Sequence, residues 1–257
     1  MMQLDVRDPV PAAVETPDAV VVDVRNLADR SLDVLRLRLI GDVLRRRLDC
    51  RHPETVPLIL LGDRDGASDP ATGPGASLWI GDPPVRVRSV AAAASLVDGT
   101  DAVVLVPAGR RAPDDLPPAR RRLRIGPVIL RGPAARAVSE VLDGDLPLAL
   151  RLALLRFPVA DAAELTSARL HRATETLQRW QVKVAYWAEL PAAPAPRPVI
   201  DELRAASAAL DTAAVLTRLH RLETDLHLAA GSKFDAFTLA DQTLSLDLRH
   251  LVGKLRR

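Results

Sequence analysis

The chain has 257 residues, a formal net charge of +2 and a sequence pI near 9.1, so global charge neither requires nor forbids an anionic partner. Apolar residues make up 48% of the chain but aromatics only 3%, which leaves Leu, Val and Ala to fill the core of a large domain with a smaller appendage. A lone Cys50 excludes an internal disulfide, five scattered histidines exclude a histidine-built zinc site, and no apolar run approaches the ~20 residues of a membrane span.

The N-terminus carries acidic Asp5 and Asp8 where a leader would be basic and apolar, so a cytoplasmic protein is expected, with neither membrane nor DNA among its partners. Its cations are arginines except for Lys183, Lys233 and Lys254. Guanidinium forks suit phosphate and carboxylate and do not titrate. The densest cluster, "ARRRLR" with Arg120, Arg121, Arg122 and Arg124, reads as a phosphate patch or as a solvated helix end or linker.

In chain order, "DAVVVDVR" (18–25) predicts a buried strand from its continuous β-branched run. A helix follows in "SLDVLRLRLIGDVLRRRL", where Leu32, Leu35, Leu39, Val43 and Leu48 recur near helical spacing. "VPLILLG" (56–62) is the next buried strand, and the connection is long enough for a right-handed parallel crossover. Residues 63–74, rich in Asp, Gly, Ala and Pro, read as an exposed loop. Weaker strands in "SLWIG" and "VRVRSV" lead to "DAVVLV" (101–106) and then to "PVIL" (127–130). The expectation is an α/β fold with an open, Rossmann-like, mostly parallel sheet.

From Asp145 the pattern turns helical. "LPLALRLALL" is too leucine-dense for an exposed helix and predicts one sandwiched between layers. Asp161 and Glu164 have capping-box spacing, so a long helix is expected to start there. Leu170, Ala173, Leu177, Trp180, Val184 and Trp187 form its buried stripe, and "LPAAPAPRPV" (190–199) is a stiff proline-rich linker. Beyond it, Asp211 is a plausible N-cap for a helix striped by Val215, Leu219, Leu222 and Leu226. A final helix in "GSKFDAFTLADQTLSLDL" turns Phe234 and Phe237 inward.

This order of parts resembles cysteinyl-tRNA synthetase, a class I aminoacyl-tRNA synthetase family, in its actinobacterial type. The likeness rests on "LPLALRLALL" and "ATETLQRWQVKVAYWAELP", which are similar to the helices after the family's catalytic sheet. It continues in "ALDTAAVL" and "GSKFDAFTLADQTLSLDL", similar to its helical (DALR-type) anticodon-binding bundle. The resemblance implies a degenerate nucleotide-binding domain over 1–144 with a shortened insertion, a helical connector and linker over 145–197, and a bundle over 198–257.

It also implies lost chemistry. "LIGDVLRRRL" resembles the helix after the His-Ile-Gly-His signature, which places Ser31 to Val34 where the phosphate-binding imidazoles belong; neither Ser31 nor Val34 replaces them. Val22 falls at the first zinc cysteine and "DAVVLVPAGRR" at the His-His-Glu segment, so no zinc is expected. "GPVILRGPAARAVSE" resembles the strand and loop leading into Lys-Met-Ser-Lys-Ser, and there only Arg136 is positioned to approach a phosphate, at a serine position. The reading is a pseudoenzyme that binds or scaffolds an unknown protein partner. Two alternatives stand beside it: a residual ATP-dependent cysteine ligase, with ATP as its nucleotide, and a tRNA-binding module. The bundle holds as many acidic as basic residues, which weakens the last.

The vestigial cleft would gather Ser31, Val34, Arg36, Gly62, Asp63 and Arg136. Arg36 matches a family arginine, but a helix-surface arginine is the plainer reading. Asp63 and Asp65 end a strand where α/β sheets bind ligands, and turn chemistry explains them equally well. Trp180 and Trp187 read as core and not as base-stacking platforms. Cys50, with only His52 near it, is not expected to be a nucleophile, and His171, His220, His227 and His250 are read as surface residues.

Overall fold

The computed structural model describes residues 18–25, 27, 31–47, 56–62, 85–108, 117, 119, 121–134 and 147–254. The chain divides into two compact units, Met1–Ile129 with Val159–Glu164, and Leu130–Pro158 with Leu165–Arg257.

The first unit is built on a parallel sheet. Strands β1 (Ala19–Asp23), β2 (Leu58–Leu61), β3 (Val85–Val87), β4 (Ala102–Pro107) and β5 (Arg121–Ile125) lie in the order β3-β2-β1-β4-β5, and every ladder is parallel. Every residue of β1 is buried, because a parallel sheet is covered on both faces and its strands are therefore continuously apolar. Helix α1 (Ser31–Arg45) lies on one face. Its Gly41 comes so close that a Cβ there would stand 2.8 Å from Leu58 Cδ1 and 3.1 Å from Val22 Cγ2. On the other face Ala93 and Val97, from helix α2 (Val90–Leu96) and its C-cap, close a cluster with Val21, Ile59, Leu61, Val104 and Val106. Ser89 caps α2 by accepting the Ala92 N–H at 3.1 Å; this helix was not anticipated from the sequence.

The strands expected at 18–25, 56–62, 85–90 and 101–106 form, though the third is short and Val90 already begins α2. "SLWIG" lies outside the described residues. Two expectations are corrected. The arginine cluster forms neither a helix end nor a linker: Arg121 to Ile125 are β5, paired from Val103↔Arg121 to Pro107↔Ile125. Arginine tolerates an edge position because its stem covers apolar surface while its head reaches water, and charge on an edge discourages pairing with another chain. "PVIL", in turn, does not join the main sheet. Strand β6 (Val128–Leu130) pairs with β7 (Ala163–Leu165) in a two-stranded sheet.

That second sheet explains why no helix starts at Asp161. The segment 163–165 is taken by strand pairing, with the Ala163 N–H donating to Pro127 O at 2.8 Å. The long helix, α4 (Ser167–Ala188), starts instead after Thr166, whose hydroxyl accepts the Arg169 N–H at 3.2 Å.

The second unit is helical: α3 (Pro147–Leu155), α4, α5 (Arg197–Ala208), α6 (Thr212–Thr224) and α7 (Ala230–Leu244). Helix α3 is buried from Ala149 to Leu155, including Arg151, whose Nε donates to Leu244 O at 2.6 Å. The stripe of α4 is buried as expected, and Phe237 stands edge-on to both Trp180 and Trp187 at centroid distances of 5.4 and 5.1 Å. Phe234 is only half-buried. Asp211 caps α6 through the Ala214 N–H at 2.9 Å, but Leu226 lies past the helix and is 93% exposed, so the stripe stops at Leu222. The proline-rich segment is docked, not free-running: Ser232 donates to Pro194 O at 2.8 Å and Asp235 accepts the Ala195 N–H at 2.9 Å. A Cβ at Gly231 would collide with the backbone at Pro191 and Ala193. Residues 159–164 of the expected connector fall in the first unit, and the rest of it and the expected bundle in the second. Among the described residues no helix is long and apolar enough to cross a membrane.

Candidate functional site

A sheet ordered β3-β2-β1-β4-β5 reverses its winding between β1 and β4, and in such sheets ligands bind outside the carboxyl ends of the strands at that switch point. The candidate site is therefore formed by the ends of β1 and β4, the start of α1 and the chain at 125–128.

At the end of β1 the buried Asp23 carboxylate is occupied by Arg25, which donates its backbone N–H (3.1 Å), Nε (3.0 Å) and Nη2 (3.1 Å) to it. At the end of β4 the Ala108 N–H donates to Ile125 O at 2.7 Å, closing that strand onto β5. The first turn of α1 carries Asp33, whose Oδ1 accepts the Val128 N–H at 2.7 Å. An aspartate in a first helical turn is favourable to the helix dipole, and here its carboxylate also ties α1 to the chain at 128.

One turn on, Arg36 is fully buried, and its Nη1 donates to Gly126 O (2.9 Å), Pro127 O (3.2 Å) and Asp161 O (2.6 Å). Burial lowers the guanidinium pKa to about 10, with Asp161 and Asp33 partly opposing the shift, so it stays protonated at neutral pH. The helix-surface reading of Arg36 is thus corrected: with Asp33 it clamps α1 onto the strand start at 126–128 and the turn at 161. Gly126 permits this approach, since a Cβ there would collide with the carbonyls of Ala160 and Asp161.

Among the described residues a pocket lined by Asp33, Leu37, Pro107, Ala108, Ile125, Gly126 and Pro127 has room for about one water molecule, and Asp33 is the one charged residue of that lining. By itself this pocket is too small for a nucleoside triphosphate, which needs several amide or cationic donors and far more space. Val22, where the resemblance would place a zinc cysteine, is a buried strand valine beneath α1.

Of the residues singled out from the sequence, Ser31, Val34 and Arg36 share the first turns of α1. Gly62 closes β2, its N–H given to Val87 O at 3.1 Å, and is packed toward Val24. Asp63 and Arg136 lie outside the described residues, as do Cys50 and His52. Asp33 was missed. The signal for it was an aspartate in a first helical turn three residues before an arginine, whereas nothing local announces Gly126 or Asp161 as partners. Compared with known proteins, the chain matches no protein-family model and no curated protein.

Proposed function

We propose that this chain is a pseudoenzyme of the cysteinyl-tRNA synthetase type, without aminoacylation activity, that serves as a binding or scaffold protein. The observation that carries the reading is the commitment of the first turns of α1 to the chain itself: Asp33 accepts the Val128 N–H, Arg36 donates to three backbone carbonyls, and among the described residues the pocket beside them has room for about one water. A class I active site needs that helix start for ATP phosphates. The inert side chains at the two histidine positions, Ser31 and Val34, point the same way. The parallel sheet followed by helices is compatible with the resemblance, and the reading assigns residues 198–257 to the DALR-type bundle.

The competing ligase reading uses arginines in place of the lost lysine. The commitment of Arg36 to three backbone carbonyls speaks against it. The test is ATP–pyrophosphate exchange with cysteine, with and without added zinc. No exchange above background is expected in either arm, and robust exchange refutes the proposal. Calorimetric titration with ATP and a cysteinyl-adenylate analogue separates the readings further, since measurable binding at the sheet would favour the ligase.

A further inference from the structure

The arginines of β5 take no part in the switch point. Strand β5 ends the sheet, and among the described residues β4 is its only strand partner. In a parallel ladder a residue turns both its N–H and its C=O to one neighbour, and the next residue turns both the other way. Ile125 O takes the Ala108 N–H, so Arg121, Leu123 and Ile125 face β4, and the N–H and C=O of Arg122 and Arg124 point away from the sheet. Gly126, the next residue of that outward set, gives its N–H to Val159 O at 2.9 Å, so the chain covers its own edge there. At Arg122 and Arg124 no backbone pairing on the outer side is found among the described residues.

Side chains alternate across a strand, which puts Arg122 and Arg124 on one face of the sheet and Arg121 on the other. All three are half-buried, and none meets a carboxylate among the described residues. Arg122 Nε is shielded and donates to no group there. Other arginines of the same unit are paired, Arg25 with Asp23 and both Arg45 and Arg46 with Asp42. A shielded donor left unmet costs free energy that an arriving carboxylate recovers. A second copy of β5 would set arginine opposite arginine, and like charges directly opposite destabilise a strand pair. A phosphodiester offers acceptors alone and would leave the outward carbonyls of Arg122 and Arg124 unmet. An acidic peptide strand meets every group, with N–H and C=O for the ladder and carboxylates for the guanidinium forks.

We propose that the outer edge of β5 binds an extended acidic segment of a partner protein by strand addition, with Arg122 and Arg124 pairing its carboxylates on one face and Arg121 on the other. The proposal rests on the scaffold reading only for the existence of a protein partner. The two fail separately: pyrophosphate exchange decides whether the sheet is catalytically silent, and peptide binding decides whether this edge is a docking strand.

The full chain is titrated with a capped peptide of alternating glutamate and valine, with its lysine-for-glutamate counterpart, with a version carrying proline in place of valine, and with a single-stranded RNA oligonucleotide. The glutamate–valine peptide is expected to bind. The lysine and proline versions should bind at least about tenfold more weakly, since one loses the charge match and the other its ladder donors. Under saturating peptide the amides of Arg122 and Arg124 should exchange about fivefold more slowly or better, while those of Arg121, Leu123 and Ile125, already turned to β4, should hardly change. This pattern is read on the unaltered chain and does not depend on any variant folding. Arg122→Gln with Arg124→Gln should weaken binding about tenfold. Arg197→Gln, at a side chain 92% exposed on α5, serves as the charge control and should change binding by less than about twofold. Absence of binding by the glutamate–valine peptide overturns the proposal. So does RNA or the lysine peptide binding as tightly, or slowed exchange at Val85–Val87 on the opposite edge in place of Arg122 and Arg124.

Discussion

Replacing Arg36 by Met tests the clamp at the switch point directly. Lowering the guanidinium to about 10 corresponds to a net penalty of about 3 kcal/mol on its charge, after Asp161 and Asp33 have offset part of the cost of burial, at ~1.4 kcal/mol per pH unit. Against it stand charge-assisted hydrogen bonds to Gly126, Pro127 and Asp161, each worth roughly 1.5–3 kcal/mol. Taken together these bonds exceed the penalty by about 3 kcal/mol, and methionine regains roughly 1 kcal/mol in packing. Pro127 O keeps a donor in the Ala163 N–H at 2.8 Å, so the loss falls on the Gly126 and Asp161 carbonyls. The expected net destabilisation of the first unit is about 2 kcal/mol.

Hydrogen exchange on the full chain reads this out. Amides of β4, β5 and β6 should exchange about 30-fold faster, while the unfolding transition seen by Trp180 and Trp187 fluorescence stays in place. Arg36→Lys, which keeps the charge but not the fork, should show roughly half the effect. A change below twofold in Arg36→Met would mean that the guanidinium is not structural, and the argument that it is unavailable to a ligand would fail with it.

Gly126→Ala should destabilise more than Arg36→Met, by over ~3 kcal/mol, because the added Cβ meets backbone that cannot move without opening the clamp; the urea midpoint measures it. Gly41→Ala should be nearly neutral, since better helix propensity (~1 kcal/mol) offsets contact with the mobile end of Leu58, whereas Gly41→Val should lose about 2 kcal/mol. Asp211→Ala and Thr166→Ala should each lower stability by about 1 kcal/mol through the lost N-cap, read from the fluorescence transition. That unit should also soften in acid in two stages. Burial and then Arg156 depress the His220 pKa, so the unfolded chain takes up its proton first and stability falls once pH drops below about 6.5. Burial would push the Glu223 carboxyl up, but hydrogen bonds from Arg179, Lys183 and Trp180 outweigh it and hold it at about 2. Stability is therefore lost again as pH falls from about 4.5 toward 2, by at most about 3 kcal/mol and less where solvent screens Arg179 and Lys183. His220→Asn should abolish the first stage, and an unchanged profile would contradict the assignment.

The central strands and their parallel pairing were legible because a run such as "AVVVD" carries its burial in its composition. The stripe of α4 was legible for the same reason, through regular spacing of large apolar residues. Reading failed where tertiary context overrode local pattern. "RRLRI" looks charged and solvated, yet pairing with β4 makes it a strand. Asp161 and Glu164 have capping-box spacing, yet strand pairing with β6 claims the segment between them. Arg36 shows the limit for a site: its partners at Gly126 and Asp161 lie 90 and 125 residues away in the chain, and no local pattern encodes them.

The path of the backbone has a practical consequence. Residues 159–164 return to the first unit after the chain has already entered the second at Leu130. A ribosome must therefore release α3 before the sheet unit can be completed, and its final strand pairing waits on the far side of that excursion. For the same reason a fragment ending near 130 would lack the Asp161 carbonyl that anchors Arg36, and a fragment beginning there would drag unpaired sheet residues with it. Dissecting this protein by cutting it in two would break both halves, so its activities are to be separated by point substitution in the intact chain.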